Sequence, residues 1–404
     1  MHQELQALER NNTWSLTHLP KGKKAIGCKW VYKVKLNPDG TVARHKARLV
    51  AKGFHQVQCV DFFDSFSPDH CLFVKASGDS FLAMLVYVDD VLVTGNSQQD
   101  IDSFKAYLDG LFTIKDLGCA KYFLGVEIAR NRDGTYLNQR KYILDILHDT
   151  GLMGCKPATV PLPPGIKLIA DSGIPLPDPE KYRRLVGRLL YLNFTRPDIT
   201  YSVQQLSQFV TSPRSDHWEA ALHLVKYLKG TPYLGLFYSA TSSFDLTAFS
   251  DADWGSCPDT RKSLTGYCLF LGSSLISWKM KKQNTVSHSS AETEYRALGT
   301  TVCELQWVSF IAADLHICVS TPIPLWCDNK AALHIVENPV FHERTKHLDI
   351  DCHLVRNHFK SGFILLKHVS STHQIADVFT KSLPSTQFRA LLLKLGLIDH
   401  HCPT

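Results

Sequence analysis

The sequence predicts an α/β protein in which an α+β front is followed by a mixed-sheet α/β domain. Two patterns carry this expectation. From about residue 245, three short strand patterns (245–251, 266–271 and 274–279) precede alternating helix and strand, the order expected when helices cover one open sheet. Before about residue 150, period-two runs broken by turn residues mix with amphipathic helical stretches. Size agrees. The chain has 404 residues and 44% hydrophobic content, enough to bury real cores. At roughly 150 residues per domain, two or three domains are expected.

The elements follow in order. Residues 1–18 suggest a short helix running into Asn11-Asn12. Residues 29–35 alternate, Asn37-Pro38-Asp39-Gly40 is a turn, and 41–54 is a second strand, so this segment predicts a β-hairpin with one basic face. Residues 71–75 and 81–94 predict strands around Ser77-Gly78-Asp79. Helices at 99–112 and 140–151 flank a strand at 122–128. The proline-rich stretch 156–179 is the best linker. Helical segments near 180–192 and 198–229 follow, separated by Thr195-Arg196-Pro197-Asp198. After the three strands come a long helix (290–315), a strand (322–327), helical segments to about 360, a strand (363–369) and a last helix from Gln374. There is no internal repeat.

Composition excludes several classes. No apolar run approaches the roughly 20 residues of a membrane span, so no membrane partner is expected. Residues 1–20 lack the apolar core of a signal peptide. Twelve cysteines are scattered with no CxxC pair, which reads as reduced thiols in the cytoplasm or nucleus of a protein that is not secreted. His342, His347, Cys352, His353 and His358 are the nearest approach to a zinc set, but helical spacing scatters them, and a polar helix face is expected. The net charge is +6, yet residues 1–60 hold eleven Lys/Arg against three acids. That segment is either a face for a polyanion or a solvated lysine-rich surface.

Four acids lie where distant elements can converge. Asp251 ends a strand in Phe249-Ser250-Asp251-Ala252-Asp253-Trp254, and Asp328 ends the strand Pro324-Leu325-Trp326-Cys327. Asp377 follows the strand 363–369. Glu294 lies on the long helix, whose apolar face is Ala291, Tyr295, Leu298, Val302 and Leu305. At 100° per residue, Glu294 lies about 60° from the centre of that face and Glu292 about 100°. Glu292 is three residues after Ser289, a capping-box spacing that gives it a local role. Two-metal phosphodiester chemistry needs such a convergence of carboxylates. In the front half, Tyr87-Val88-Asp89-Asp90 places two acids between apolar strand patterns, as at a hairpin tip that binds a cation, or in an ordinary acidic turn.

Ser250-Asp251-Ala252-Asp253-Trp254, Ser289-Ser290-Ala291-Glu292-Thr293-Glu294-Tyr295, Cys327-Asp328-Asn329-Lys330 and Ala376-Asp377-Val378-Phe379-Thr380-Lys381 stand in that order, with His342–Ile350 between the last two. Together these segments resemble the ribonuclease H domain of copia-type LTR retrotransposon Pol polyproteins. The resemblance implies that Asp251, Glu294, Asp328 and Asp377 are catalytic and hold two Mg²⁺ ions. It implies that the domain cuts RNA in an RNA–DNA hybrid. His368 is either a strand-end residue or the counterpart of a mobile histidine in related ribonucleases.

The front half resembles the same family's reverse transcriptase. Tyr87-Val88-Asp89-Asp90 is similar to the YxDD motif of its palm. Residues 29–35 and 46–54 resemble its fingers, which implies nucleotide or nucleic-acid contacts for Lys46, Arg48 and Lys52. Residues 122–128 resemble a primer-contacting segment. Tyr182–Gly187, Thr195–Ile199 and His217-Trp218 resemble the connection. The implied domains are a fingers, palm and thumb remnant at 1–170, a helical connection at 171–240 and a ribonuclease H-like domain at 241–400.

One departure stands out. Phe66-Ser67-Pro68 is fused to Asp69-His70-Cys71, where the family carries a long segment with the first palm aspartate. Asp89 and Asp90 would then lack their metal partner, and polymerase activity would be lost. Asp61, Asp64 and Asp79 are poor substitutes. Two alternatives stay open: a non-catalytic nucleic-acid-binding remnant, and a full reverse transcriptase misrepresented by a gene-model deletion.

Overall fold

A computed structural model describes residues 28–36, 41–51, 71–112, 114–337 and 349–399. The expected helix at 1–18, Lys52, Asp61, Asp64, the Pro68-Asp69 joint, His342 and His347 lie outside the described residues. The chain separates into two units, 1–73 with 84–87 and 74–83 with 88–404. The fold class is mixed α/β, as the sequence predicts.

In the first unit, β1 (Cys28–Leu36) pairs antiparallel with β2 (Val42–Ala51). The register sets Lys46 opposite Lys33 and Arg48 opposite Val31. Next come β3 (Leu72–Ser77), β4 (Ser80–Tyr87) and β5 (Asp90–Gly95), a sheet in that order. The run 81–94 is therefore two strands. Val88 breaks it with a φ of 53°, a left-handed backbone that a β-branched residue adopts only in a tight turn. Helix α1 (Gln98–Leu111) follows, with Ser97 accepting from the Asp100 amide as its N-cap.

The expected strand at 122–128 is instead a hairpin of β6 (Tyr122–Phe123) and β7 (Val126–Arg130). Leu124 and Gly125 both have positive φ, the geometry of a two-residue hairpin turn. Then come β8 (Gly134–Asn138), α2 (Arg140–Asp149), α3 (Pro179–Leu192), α4 (Thr200–Ser207), α5 (Ser215–Gly230) and β9 (Leu234–Ser239). The helix expected over 198–229 is thus broken. Pro213 cannot donate an amide, and a new helix begins after it, where His217 Nδ1 accepts from the Arg214 amide. Thr195-Arg196-Pro197-Asp198 serves structure here. Arg196 is fully buried and donates twice to Asp198 at 2.9 and 2.6 Å, while the Tyr227 hydroxyl donates to the same carboxylate at 2.7 Å. Removing one member of such a pair leaves a buried charge and costs about 3–5 kcal/mol.

The C-terminal region holds β10 (Leu246–Asp253), β11 (Leu264–Leu271), β12 (Ser274–Lys282), α6 (Ser290–Asp314), β13 (Ile323–Cys327), α7 (Lys330–Glu337), α8 (Asp349–Lys360), β14 (Ile364–His368), α9 (Asp377–Thr380), α10 (Ser385–Lys394) and β15 (Leu397–Asp399). One sheet has the order β12-β11-β10-β13-β14, antiparallel across β12, β11 and β10 and parallel across β10, β13 and β14. This is the mixed sheet that the sequence predicts for the C-terminal region. The last helix, expected from Gln374, is divided at Pro384 into α9 and α10.

Both faces of this sheet are covered. Tyr295, Leu298, Val302 and Leu305 of α6 pack with Ala248, Leu269 and Leu325 on one face. Leu264, Cys268, Phe270 and Met280 join the core of α3, α4 and α5 on the other. Double coverage explains why seven of the eight residues of β11, Leu264 to Phe270, are buried without alternation. A second sheet, β15-β9-β8-β7-β6, draws strands from residues 122–138, 234–239 and 397–399. The Tyr136 hydroxyl ties it together, lying within hydrogen-bonding reach of both the Tyr233 and the Ile398 carbonyls.

Candidate active site

The carboxylates gather at one end of the mixed sheet. Asp251 lies on β10, paired with Gly266 of β11. A side chain at Gly266 would meet Thr380 and Phe379 at under 3 Å, so only glycine lets α9 come this close to the sheet. That approach carries Asp377 to Asp251. Asp328 follows β13, which runs parallel beside β10. Glu294 enters from the first turns of α6. The Ser289 hydroxyl accepts from the Glu292 amide, which sets the start of that helix.

Glu292 and Glu294 are both buried but do different things. Glu292 accepts from the His288 amide at 2.8 Å and from Arg296 at 2.9 Å, a local role as the spacing predicts. Glu294 faces the sheet, where Cys327 Sγ lies 3.7 Å from its Oε2.

The four acids form two halves. Glu294, Cys327 and Asp328 have ligand atoms within 4.8 Å of one another. Asp251 and Asp377 are joined through Lys381, whose Nζ is 2.6 Å from Asp377 Oδ1 and 3.5 Å from Asp251 Oδ1. Asp251 also accepts from the Thr380 hydroxyl, and Asp328 from the Ser371 hydroxyl at 2.8 Å. Lys381, Thr380 and Ser371 were not singled out from sequence. The first two sit in the motif around Asp377, but nothing local says where an ammonium will point.

Burial dominates the electrostatics. Asp251, Glu294 and Asp377 are 1%, 5% and 3% exposed. Burial, then the neighbouring acids, pushes the Glu294 carboxyl up to about 9. Burial and then Asp251 push Asp377 up to about 7, against the pull of Lys381. Asp251 is also raised, chiefly by burial, with Lys381 and Thr380 opposing. Lys381 is held above its usual range by the same acids, in spite of its own burial.

The remaining expected residues lie elsewhere. Asp89 and Asp90 are exposed at the β4–β5 turn. Asp79 is at the far end of β4, and an eight-residue strand spans about 26 Å. Lys46 and Arg48 fall in β2, whose backbone alone is described there. His368 ends β14 and is exposed. His353 is exposed and His358 half-buried on α8.

A reverse transcriptase (RNA-dependent DNA polymerase) family model matches residues 11–70 and 68–164, two segments that overlap at residues 68–70, across the Pro68-Asp69 joint. The retrovirus-related Pol polyprotein from transposon RE1 of Arabidopsis thaliana is 35% identical over 489 residues, covering 98% of this chain and 33% of its own length. That alignment is longer than the 404 residues of this chain, so the relative carries residues this chain lacks. The chain spans about a third of that relative's length. An uncharacterised mitochondrial protein of Arabidopsis thaliana is 44% identical over 227 residues, covering 56% of this chain and 94% of its own. Among solved structures, the N-terminal ribonuclease H domain of a Mycobacterium tuberculosis protein, fused to maltose-binding protein, matches 37% of this chain and 98% of its own at 14% identity and a TM-score of 0.25. The chain belongs to the copia-type retrotransposon Pol polyprotein family.

Proposed function

We propose that this chain is a reverse transcriptase/ribonuclease H fragment whose C-terminal domain hydrolyses RNA in RNA–DNA hybrids with two Mg²⁺ ions, and whose polymerase activity is lost. The observation that carries the reading is the gathering of Asp251, Glu294, Asp328 and Asp377 at one sheet end, three of them almost fully buried. Buried carboxylates crowded together oppose folding unless a cation or protons offset them. The donor set fits magnesium, which prefers hard carboxylate oxygens. An ammonium already bridges two of the acids as a cation would.

Asp251 and Asp377 on one side, and Glu294 and Asp328 on the other, would hold the ions. Bound there, divalent ions supply an activated water and stabilise the leaving oxygen of a phosphodiester. The chain's own residues orient the ligands: Thr380 fixes Asp251 and Ser371 fixes Asp328. Burial keeps bulk water from screening these charges. A cleft of about 160 Å³ lined by Lys281, Lys282, Gln283 and Arg296 offers positive charge on the same domain for a phosphate backbone. Reduced cysteines favour a cytoplasmic or nuclear setting.

The polymerase loss rests on the two family matches that overlap across Pro68-Asp69 and on the longer aligned relative. A second reading, a full reverse transcriptase shortened by a gene-model deletion, is favoured by the same joint. Genomic and transcript sequence across it separates the two. For the ribonuclease, labelled RNA–DNA hybrid with Mg²⁺ is offered to wild type and Asp328→Asn. Cleavage by wild type alone is expected, and a folded wild type that leaves the hybrid intact would sink the proposal. Primer extension that Asp89→Asn abolishes would refute the loss of polymerase activity.

A further inference from the structure

We propose that Lys381 is a tethered counter-ion that holds the Asp251–Asp377 half of the acid cluster when no divalent ion is there, and that it weakens that half's grip on metal because it must give way. The inference rests on the metal reading above. The geometry is specific. Lys381 Nζ contacts one oxygen of Asp377 at 2.6 Å and one of Asp251 at 3.5 Å. A single helical turn returns it there: α9 is four residues long, and the Lys381 amide closes it on the Asp377 carbonyl at 3.0 Å.

The two halves of the site differ. Among the described residues, Glu294 and Asp328 carry no ion pair, whereas Asp251 and Asp377 share Lys381. A magnesium ion binds carboxylate oxygen at about 2.1 Å. An ammonium already hydrogen-bonded to that oxygen competes for it and repels the incoming charge. The lysine side chain is 35% exposed, so its flexible stem has a route out to solvent. The device has a physical use. It neutralises buried acids that otherwise oppose folding, so the domain can form before metal arrives. Two ions should therefore bind unequally, the Glu294–Asp328 half filling first.

The test uses the full chain and Mn²⁺, with free ion counted by electron paramagnetic resonance. Wild type should show one tighter and one weaker site. Lys381→Met should tighten the weaker site on the order of tenfold. Lys381→Arg, which keeps the charge, should return it towards wild-type weakness. Equal Mn²⁺ affinities in wild type and a folded Lys381→Met would overturn the inference. Wild type alone supplies a second measurement, needed if Lys381→Met does not fold. Acylation of Lys381, followed by peptide mass spectrometry, should rise several-fold when Mn²⁺ saturates the protein. Mn²⁺ binding with unchanged Lys381 reactivity overturns this inference alone. A wild type that binds no Mn²⁺ overturns it together with the metal reading.

Discussion

Asp251 and Asp377 are 1% and 3% exposed, while Asp89 and Asp90 stand in the open at a two-residue turn. The first pair depends on the whole domain. A glycine in β11, the one-turn helix that begins at Asp377 and a lysine just beyond it must all arrive together. The second pair depends on its own hairpin, so its local shape survives the loss of distant sequence. The difference teaches how to read a motif. A site assembled from distant segments needs the whole fold, whereas a turn motif keeps its shape on local sequence alone.

The contrast can be broken at several points. Asp251→Asn should lower hybrid cleavage by about a thousandfold with the fold retained, since this acid touches both halves electrostatically. Cleavage kinetics beside circular dichroism would check it. Gly266→Val should cost about 1–3 kcal/mol in denaturant unfolding and should also abolish cleavage, because its side chain would push α9 off the sheet.

Next in size is a pH effect on the metal-free protein. In the folded chain Asp377 keeps its proton up to about 7 and Glu294 up to about 9, whereas the unfolded chain loses both near the ordinary carboxylate values. The folded state then binds more protons, so stability falls as pH rises from about 4 towards 9. Melting temperature across that range should decline, and Glu294→Gln should flatten the upper part. Added Mg²⁺ should recover more stability at high pH than at low pH, since it binds the deprotonated acids. The smallest expected effect is at the hairpin. Asp89→Asn with Asp90→Asn should leave unfolding free energy within about 0.5 kcal/mol and hybrid cleavage unchanged. A large loss at either readout would show that the hairpin acids are coupled to the rest of the molecule.

Much of the C-terminal region was legible because its signals are local. The α6 periodicity separated Glu294 from Glu292, and the structure turns Glu294 to the sheet while Glu292 bonds to His288 and Arg296. The strands 245–251, 266–271 and 274–279 were found within a few residues of β10, β11 and β12. What was missed is non-local. The strands β8, β9 and β15 are five, six and three residues long and pair across the chain, so their hydrogen bonds leave little trace in their own residues. The break before α5 is different: Pro213 is a local signal, but it stands inside an otherwise helical pattern.

The order of the acids, the helix that presents Glu294 and the hairpin that carries Asp89 and Asp90 follow from residue type and spacing, because periodicity and turn chemistry act over a few residues. The division of the acid cluster into a half bridged by Lys381 and a half that, among the described residues, has no ion pair does not. It arises where β10, β11 and α9 meet, and the burial that raises these carboxyls and draws in an ammonium exists only once those segments have packed.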